Sequence, residues 1–219
     1  MKINSLGVRR LQSACLILVA LLFTQCDKDD NYVYPDVLTD FMDIYTNEEA
    51  MVDCIHPDAS GMLSLQNLLS GQGLRSDTLY RAVGMYALPD ADGSTLAYSV
   101  SLVYAEPPIR MGEGMTARMD SLYVESVYRG GGYLNIVVQP MMQTKAHVYA
   151  FVEDSVVRRG GRTSVYFTLA HSQNDDRESF PRRVYLSIPL KQYALSQGDT
   201  LHLRTNVYGE GIKEWHIPY

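Results

Sequence analysis

The stretch Arg129-Gly-Gly-Gly-Tyr-Leu-Asn-Ile-Val-Val138 decides how the second half of the chain folds. Three consecutive glycines allow positive φ angles or a bulge at the point where a strand begins. The residues that follow place Leu134, Ile136 and Val138 on one face, where they can enter a core together. Asn135 then lies on the opposite face, where we expect its amide to bond a neighbouring loop. A direct contact of Tyr133 or Asn135 with a ligand is the alternative to this structural use.

Alternating apolar and polar residues mark further strands along the chain. The clearest apolar sets are Val165, Phe167 and Leu169; Val184, Leu186, Ile188 and Leu190; and Leu201, Leu203 and Val207. A period of two residues is typical of antiparallel sheets with one face on a core and one face in water. Glycine-rich turns separate the strands, and single turns at residues 65–69 and 190–195 are the best helical candidates. The sequence therefore predicts an all-β fold.

A break in this pattern divides the chain near its middle. Residues 105–114 contain two adjacent prolines and two glycines, which cannot continue a central strand. The segment 36–114 has room for about five strands, the number in a small OB-like barrel. The segment 115–219 has room for about six or seven strands, which suits an antiparallel β-sandwich. We expect these two domains in that order.

The N-terminal segment has the features of a lipoprotein export signal. Three basic residues precede an apolar run at residues 15–23 that is too short to span a bilayer permanently. The run Leu-Phe-Thr-Gln before Cys26 resembles the bacterial lipobox, in which the cysteine is acylated before cleavage. We expect residues 1–25 to be a cleaved signal peptide and Cys26 to carry the lipid. The alternative is an ordinary signal peptide followed by an incidental cysteine.

Residues 26–35 are expected to form a flexible acidic tether. Their Asp27-Lys-Asp-Asp30 run resembles the lysine-plus-acidic signal that sends some Gram-negative lipoproteins to the cell surface. A charged run of this kind also suits a solvated spacer after any lipid anchor. We expect an outer-membrane lipoprotein exposed at the cell surface, with the periplasmic face of that membrane as the alternative.

Net charge argues against one class of partner. The 19 basic and 25 acidic residues become 16 and 25 once residues 1–25 are removed, a formal net charge of −9. Nucleic-acid binding normally needs a basic patch that neutralises phosphates. We therefore expect no nucleic acid among the partners.

The sequence carries no recognisable catalytic, cofactor-binding or metal-binding motif. Only Cys54 and His56 are close enough along the chain to share a strand face as metal ligands, and two such ligands make a poor zinc site. A buried apolar side chain is the more ordinary use of Cys54. No glycine-rich phosphate loop and no Gly-x-Ser-x-Gly elbow occurs. We predict no catalytic residue, no cofactor and no bound metal.

Tyrosine is the one aromatic residue in excess, with 16 Tyr against 5 Phe and 1 Trp. Tyr and Trp offer large amphipathic surfaces that can stack on sugars or contact proteins. Trp215 therefore joins Tyr133 and Asn135 as a candidate contact for an unknown protein, peptide or glycan ligand. The alternative is that these aromatic residues serve β-propensity and partial burial.

The stretch from Asp120 to Ile136 is similar to the central signature of NigD-like lipoproteins, in which an aromatic and glycine segment leads into Tyr-Leu-Asn and an apolar residue. The lipoprotein start and the Asp58-Ala-Ser-Gly61 turn extend the resemblance. It implies an N-terminal OB-like domain, a C-terminal β-sandwich and a link to bacteriocin production or immunity. No enzyme activity is established for that family.

Two functional hypotheses follow. The first is a non-catalytic binding or interaction module whose ligand the sequence does not identify. The second is an envelope enzyme that acts on polysaccharide or peptidoglycan, which would need two close carboxylates in a cleft.

Overall fold

The computed structural model describes residues 36–219, and most of these residues lie in β-strands. The all-β prediction is confirmed. The predicted signal peptide, Cys26 and the tether lie outside the described residues. Within the described part, no helix is long and apolar enough to cross a membrane.

The first half of the described chain forms one curled, six-stranded sheet, a half-barrel. Its strands are β1 (Val37–Thr46), β2 (Val52–Pro57), β3 (Leu63–Leu69), β4 (Leu79–Ala87), β5 (Ser94–Thr95) and β6 (Ala97–Leu102). They lie in the order β5-β3-β2-β1-β4-β6, so the long strand β1 is paired on both sides. The core of the half-barrel consists of Met42, Ile44, Val52, Ile55, Leu63, Ala82 and Tyr86.

The helical turn predicted at residues 65–69 is wrong, because these residues belong to strand β3. The Asn67 side chain bonds both the backbone N–H and the carbonyl of Ala97, at 2.9 and 2.8 Å. Gln66 donates to Asp90 and Ser94. Besides its backbone pairing with β2, this segment has side-chain partners more than twenty residues away along the chain, and local apolar spacing does not reveal them. The short helical turn predicted at residues 190–195 is confirmed as a 3₁₀ helix, Lys191–Tyr193.

The second half of the described chain contributes the remaining sheets. Its strands are β7 (Tyr123–Gly130), β8 (Tyr133–Gln139), β9 (Met141–Met142), β10 (Val148–Arg159), β11 (Arg162–Ser172), β12 (Phe180–Pro181), β13 (Val184–Pro189), β14 (Thr200–Val207) and β15 (Gly211–Pro218). Their sheets are ordered β13-β8-β7, β10-β11-β14-β15 and β12-β9. Strands β11 and β14 pair in parallel, whereas the other neighbours in these three sheets pair antiparallel.

One apolar core joins the β13-β8-β7 sheet to the β10-β11-β14-β15 sheet. Leu134, Ile136 and Val138 of β8 are completely buried in it, as their alternation predicts. Alternating residues from other parts of the second half enter the same core, namely Val165, Phe167, Leu169, Leu186, Ile188, Leu190, Leu201 and Leu203. Burial of a side chain of this size stabilises the fold by about 1.5–3 kcal/mol, so this core is the main favourable term for the second half.

A third, smaller cluster lies where the half-barrel meets the β13-β8-β7 sheet. Phe41, Val83 and Val103 pack there with Val137, and Tyr185 meets Phe41 edge-on with ring centroids 5.6 Å apart. The chain after β6 also pairs with β13, because the Tyr104 carbonyl accepts the Ser187 N–H at 3.0 Å. The predicted division of the chain at residue 114 stays a prediction.

A buried histidine pair fixes the segment that leads into β7. The carbonyl of Asp120 can only accept, so it receives the Nδ1–H of His171 at 2.8 Å. Nε2 of His171 then accepts the Nδ1–H of His147 at 2.9 Å. The His171 ring is uncharged in this arrangement, and burial lowers its pKa below the ordinary value.

We expect acid to destabilise the fold through His171. The unfolded imidazole takes up a proton near pH 6.5, whereas the folded one resists protonation until lower pH. The free energy of unfolding should therefore fall as the pH drops below about 6.5, by at most about 1.4 kcal/mol per pH unit from this group. Urea unfolding between pH 8 and pH 5 measures the slope. His171→Asn, which keeps a donor for Asp120, should flatten it, and exposed His56→Asn should not. An unchanged slope in His171→Asn would contradict the assignment.

Candidate functional site

A buried arginine joins the half-barrel to the second half of the chain. Arg81 lies on β4 directly opposite Asp43 of β1, and its side chain is 2% exposed. Its two terminal nitrogens donate to the two carboxylate oxygens of Asp58, each at 2.6 Å. The same guanidinium reaches Asp43 at 3.2 Å. A buried charge is tolerated only when it is paired and hydrogen-bonded in this way.

Asn135 completes the network from the other side. Its Oδ1 accepts from Arg81 at 3.0 Å and from the Ser187 hydroxyl at 2.7 Å. Its Nδ2 donates to Asp58 at 2.7 Å. The expected bond from the Asn135 amide to a neighbouring loop is therefore present, and that loop is the Asp58 turn. Asn135 is fully buried, which favours this structural use over a direct ligand contact.

Gly131 is the reason that Asp58 can approach the turn between β7 and β8. The backbone at Gly131 and Gly132 has positive φ angles of 57° and 83°. A Cβ on Gly131 would overlap the Asp58 carboxylate, whereas a Cβ on Gly132 would meet open space. The glycine run thus serves two needs, a left-handed turn and the close approach of a buried carboxylate.

A groove of about 490 Å³ opens beside this network. It is lined by Asp43 and Leu79 of the half-barrel and by Gly131, Gly132, Tyr133, Pro189, Leu190, Lys191, Ala194, Leu195 and Tyr219 of the second half. Small-molecule and side-chain pockets in proteins typically have volumes of about 300–1,000 Å³. The groove is therefore large enough to hold a peptide side chain or a sugar ring.

Arginines hold two tyrosine rings of the groove. The Arg81 guanidinium carbon lies 4.0 Å from the centre of the Tyr133 ring, and that of Arg129 lies 4.4 Å from the Tyr219 ring. Burial, reinforced by the nearby Asp43 carboxylate, raises the pKa of Tyr133 to about 12, so its hydroxyl stays protonated. Burial also raises the pKa of Asp43. The groove thus offers a neutral phenol next to a partly buried carboxyl.

The three candidate contact residues have different positions. Tyr133 lines the groove, and Asn135 supports it from below. Trp215 lies elsewhere, half-buried on β15 opposite Leu203 of β14, and the structure does not bring it to the groove. Its role as a ligand contact stays a prediction.

The structure also brings together residues that the sequence did not pair. His202 of β14 lies directly opposite His216 of β15, and Glu214 lies two residues before His216 on the same face. The two histidines are fourteen positions apart along the chain, outside ordinary metal-ligand spacing. The sequence signal for this pairing is the Tyr208-Gly-Glu-Gly211 turn, because a hairpin there brings the two histidine positions opposite each other.

The second half of the chain matches a known family model. Residues 112–219 match the family model of the NigD-like C-terminal beta sandwich domain. None of the curated proteins compared with the chain matches it.

Solved structures with the same fold come from Bacteroides and Parabacteroides species. A NigD-like immunity protein from Bacteroides caccae superposes with a TM-score of 0.67 at 25% identity, over 84% of this chain and 94% of that one. A candidate toxin-related protein from Parabacteroides distasonis gives 0.64 at 14% identity, over 84% and 93%. A candidate lipoprotein from Bacteroides fragilis gives 0.60 at 11% identity, over 84% and 98%. The last two establish similarity of fold alone.

We expect substitutions of two adjacent glycines to differ sharply. Gly132→Ala should cost about 1–2 kcal/mol, since an L-residue is strained at positive φ. Gly131→Ala carries the same strain and also displaces Asp58 from Arg81, so its cost should reach about 3 kcal/mol or more. Urea unfolding of both variants measures the difference, and equal losses would show that the approach of Asp58 does not matter.

Proposed function

Because residues 112–219 match the NigD-like C-terminal beta sandwich domain, we propose that this chain is a lipid-anchored, non-catalytic binding module of the outer membrane. Its partner is a protein or peptide that enters the groove at Tyr133. The observation that carries the proposal is the groove itself, which is already formed and rests on the buried Arg81 network.

The anchor is supported by the sequence and by one structural relative. The basic and apolar N-terminal segment precedes Cys26 in the order that a lipoprotein signal requires. The Bacteroides fragilis protein that shares this fold is described as a candidate lipoprotein. The acidic run that follows Cys26 supports exposure at the cell surface, with the periplasmic face as the alternative.

The lining of the groove suits a peptide better than a highly charged ligand. Its polar side-chain groups are two phenol hydroxyls, one carboxyl and one ammonium, from Tyr133, Tyr219, Asp43 and Lys191, among mainly apolar neighbours. A mostly apolar pocket with a few fixed polar groups is typical of specific recognition. Because Tyr133 is held by Arg81, little side-chain entropy is lost when a partner binds.

Catalysis on a glycan is the weaker hypothesis. It requires two carboxylates that are free to act as acid and base. The carboxylates nearest the groove, Asp43 and Asp58, both bind Arg81. Because both carboxylates pair with Arg81, they are not free to act as acid and base, and a binding role is favoured.

A narrower form of the proposal concerns bacteriocins. The Bacteroides caccae relative is described as a NigD-like immunity protein. By analogy, the partner of this chain is a bacteriocin or a component of its production.

Site-specific photo-crosslinking in living cells tests the groove. A photoreactive amino acid at Lys191, which lines the groove, should trap a defined partner. The same probe at exposed Leu68 of β3 should not trap it. Tyr133→Ala should weaken the crosslink from Lys191 severalfold, and Tyr133→Phe should weaken it less, because the phenol ring carries most of the contact area.

Mass spectrometry of the trapped partner separates the versions of the proposal. A bacteriocin or a protein of its export machinery would support the narrower form, and any other protein would support only the general one. If Lys191 and Leu68 trap the same set of proteins, the groove is not the binding site.

Replacement of Cys26 tests the anchor. Cys26→Ala should move the protein from the membrane fraction to the soluble fraction, because no acyl chain then remains to hold it. Cys54→Ala serves as the matched control and should leave fractionation unchanged. Membrane retention of Cys26→Ala would overturn the lipid assignment.

Protease treatment of intact cells should degrade the wild-type protein if it faces outward, and protection until lysis would place it at the periplasmic face.

A further inference from the structure

Three potential metal ligands converge on the outer face of the β14–β15 hairpin. Nδ1 of His202 lies 2.8 Å from Nδ1 of His216 and 3.1 Å from Oε1 of Glu214. Nδ1 of His216 lies 3.9 Å from the same Oε1. All three atoms therefore meet at one point, although they belong to residues on two different strands.

Ordinary hydrogen bonding does not satisfy this arrangement. Nδ1 of His202 lies within hydrogen-bonding distance of two atoms, Oε1 of Glu214 and Nδ1 of His216. An imidazole nitrogen carries at most one proton, so it can donate to only one of them. If that proton is directed to Glu214, it is poorly directed to His216. If it is absent, the Glu214 oxygen faces a lone pair. A cation placed among the three atoms satisfies all of them together.

We infer that His202, Glu214 and His216 form a binding site for a divalent transition-metal ion, with Zn²⁺ as the best match. Zinc binds histidine nitrogens and carboxylate oxygens tetrahedrally at about 2.0–2.2 Å, which places neighbouring ligand atoms about 3.3 Å apart. The observed separations of 2.8, 3.1 and 3.9 Å lie on both sides of that value. Small rotations of the side chains are enough to reach the zinc geometry.

The surroundings of His202 resemble those of a metal ligand. Its second nitrogen, Nε2, lies 3.3 Å from the Thr200 hydroxyl, and that hydroxyl pairs with the hydroxyl of Ser164. Tyr166 stacks on the imidazole with ring centroids 4.1 Å apart. A ligand histidine usually donates its other N–H to a neighbour that fixes the tautomer and the ring plane. Thr200 and Tyr166 supply both constraints here.

Glu214 is also left available for an ion. Arg204 lies directly opposite it in the hairpin, yet the guanidinium of Arg204 bonds Thr168 and Asp154. Lys213, the neighbour of Glu214, pairs with Glu210. Among the described residues, the basic side chains within 4 Å of the Glu214 carboxylate are therefore the two histidines.

The ligand set selects the class of metal. Two imidazole nitrogens and one carboxylate suit zinc and its neighbours in the first transition row. Calcium and magnesium prefer oxygen ligands throughout, so they match poorly. The side chains of Glu214 and His216 are 44% and 67% exposed, which leaves the remaining coordination position open to water.

Titration of the purified full chain with ZnCl₂ in detergent tests the inference. After removal of metal with a chelator, calorimetry should show one ion bound per chain. His202→Ala, His216→Ala and Glu214→Gln should each weaken binding at least about tenfold, since even loss of a supporting residue behind a metal ligand costs that much. His56→Ala and Glu210→Gln are matched controls and should bind as the wild type does. Cobalt substitution should give an intense visible band, the sign of four-coordinate geometry.

Circular dichroism without metal separates loss of a ligand from loss of the fold. A variant that fails to fold is replaced by the milder His202→Gln or His216→Gln, which should show the same loss of zinc affinity. The inference is overturned if the wild type binds no zinc, or if a variant that combines His202→Ala, Glu214→Gln and His216→Ala binds it as tightly as the wild type.

Discussion

The structure depends on one buried cation, the guanidinium of Arg81. It is contacted by carboxylates from the half-barrel and by Asn135 and Ser187 from the second half, so it connects segments as much as 106 residues apart along the chain. Removal of Arg81 would leave the Asp43 and Asp58 carboxylates without their cation, and loss of one member of a buried ion pair costs about 3–5 kcal/mol. The network therefore specifies how the two halves meet, in addition to whatever it contributes to their stability.

The same cation shapes the groove. Arg81 covers the ring of Tyr133, and its ion pair with Asp58 requires glycine at position 131. The glycine and tyrosine residues of the central signature thus have separate physical reasons to be present. The glycine permits the approach of the Asp58 carboxylate, and the tyrosine places an aromatic ring beside the groove. The groove that we propose for binding consequently adjoins the Arg81 network, where the side chains are held by several buried contacts.

The local pattern of apolar and polar residues predicted much of this fold, because side chains two residues apart along a strand lie on the same face. The inward set of Leu134, Ile136 and Val138 and the loop contact of Asn135 follow from that period alone. No such pattern predicts the burial of Arg81, because that burial depends on partners that only the folded sheet supplies. The pairing of His202 with His216 likewise depends on hairpin register, and the strand at residues 65–69 depends on side-chain bonds to a remote segment.

The parallel pairing of β11 with β14 has a consequence for the order of folding during synthesis. Every strand of the half-barrel has been made once residue 102 leaves the ribosome, whereas the larger sandwich sheet lacks two of its four strands until Thr200–Tyr219 emerges. Leu201 and Leu203, which help to close the sandwich core, belong to that last segment. Non-local pairing of this kind is slow to form. The strands of the half-barrel, with Arg81 and its carboxylate partners Asp43 and Asp58, are thus all synthesised before Asn135 and Ser187 of the second half.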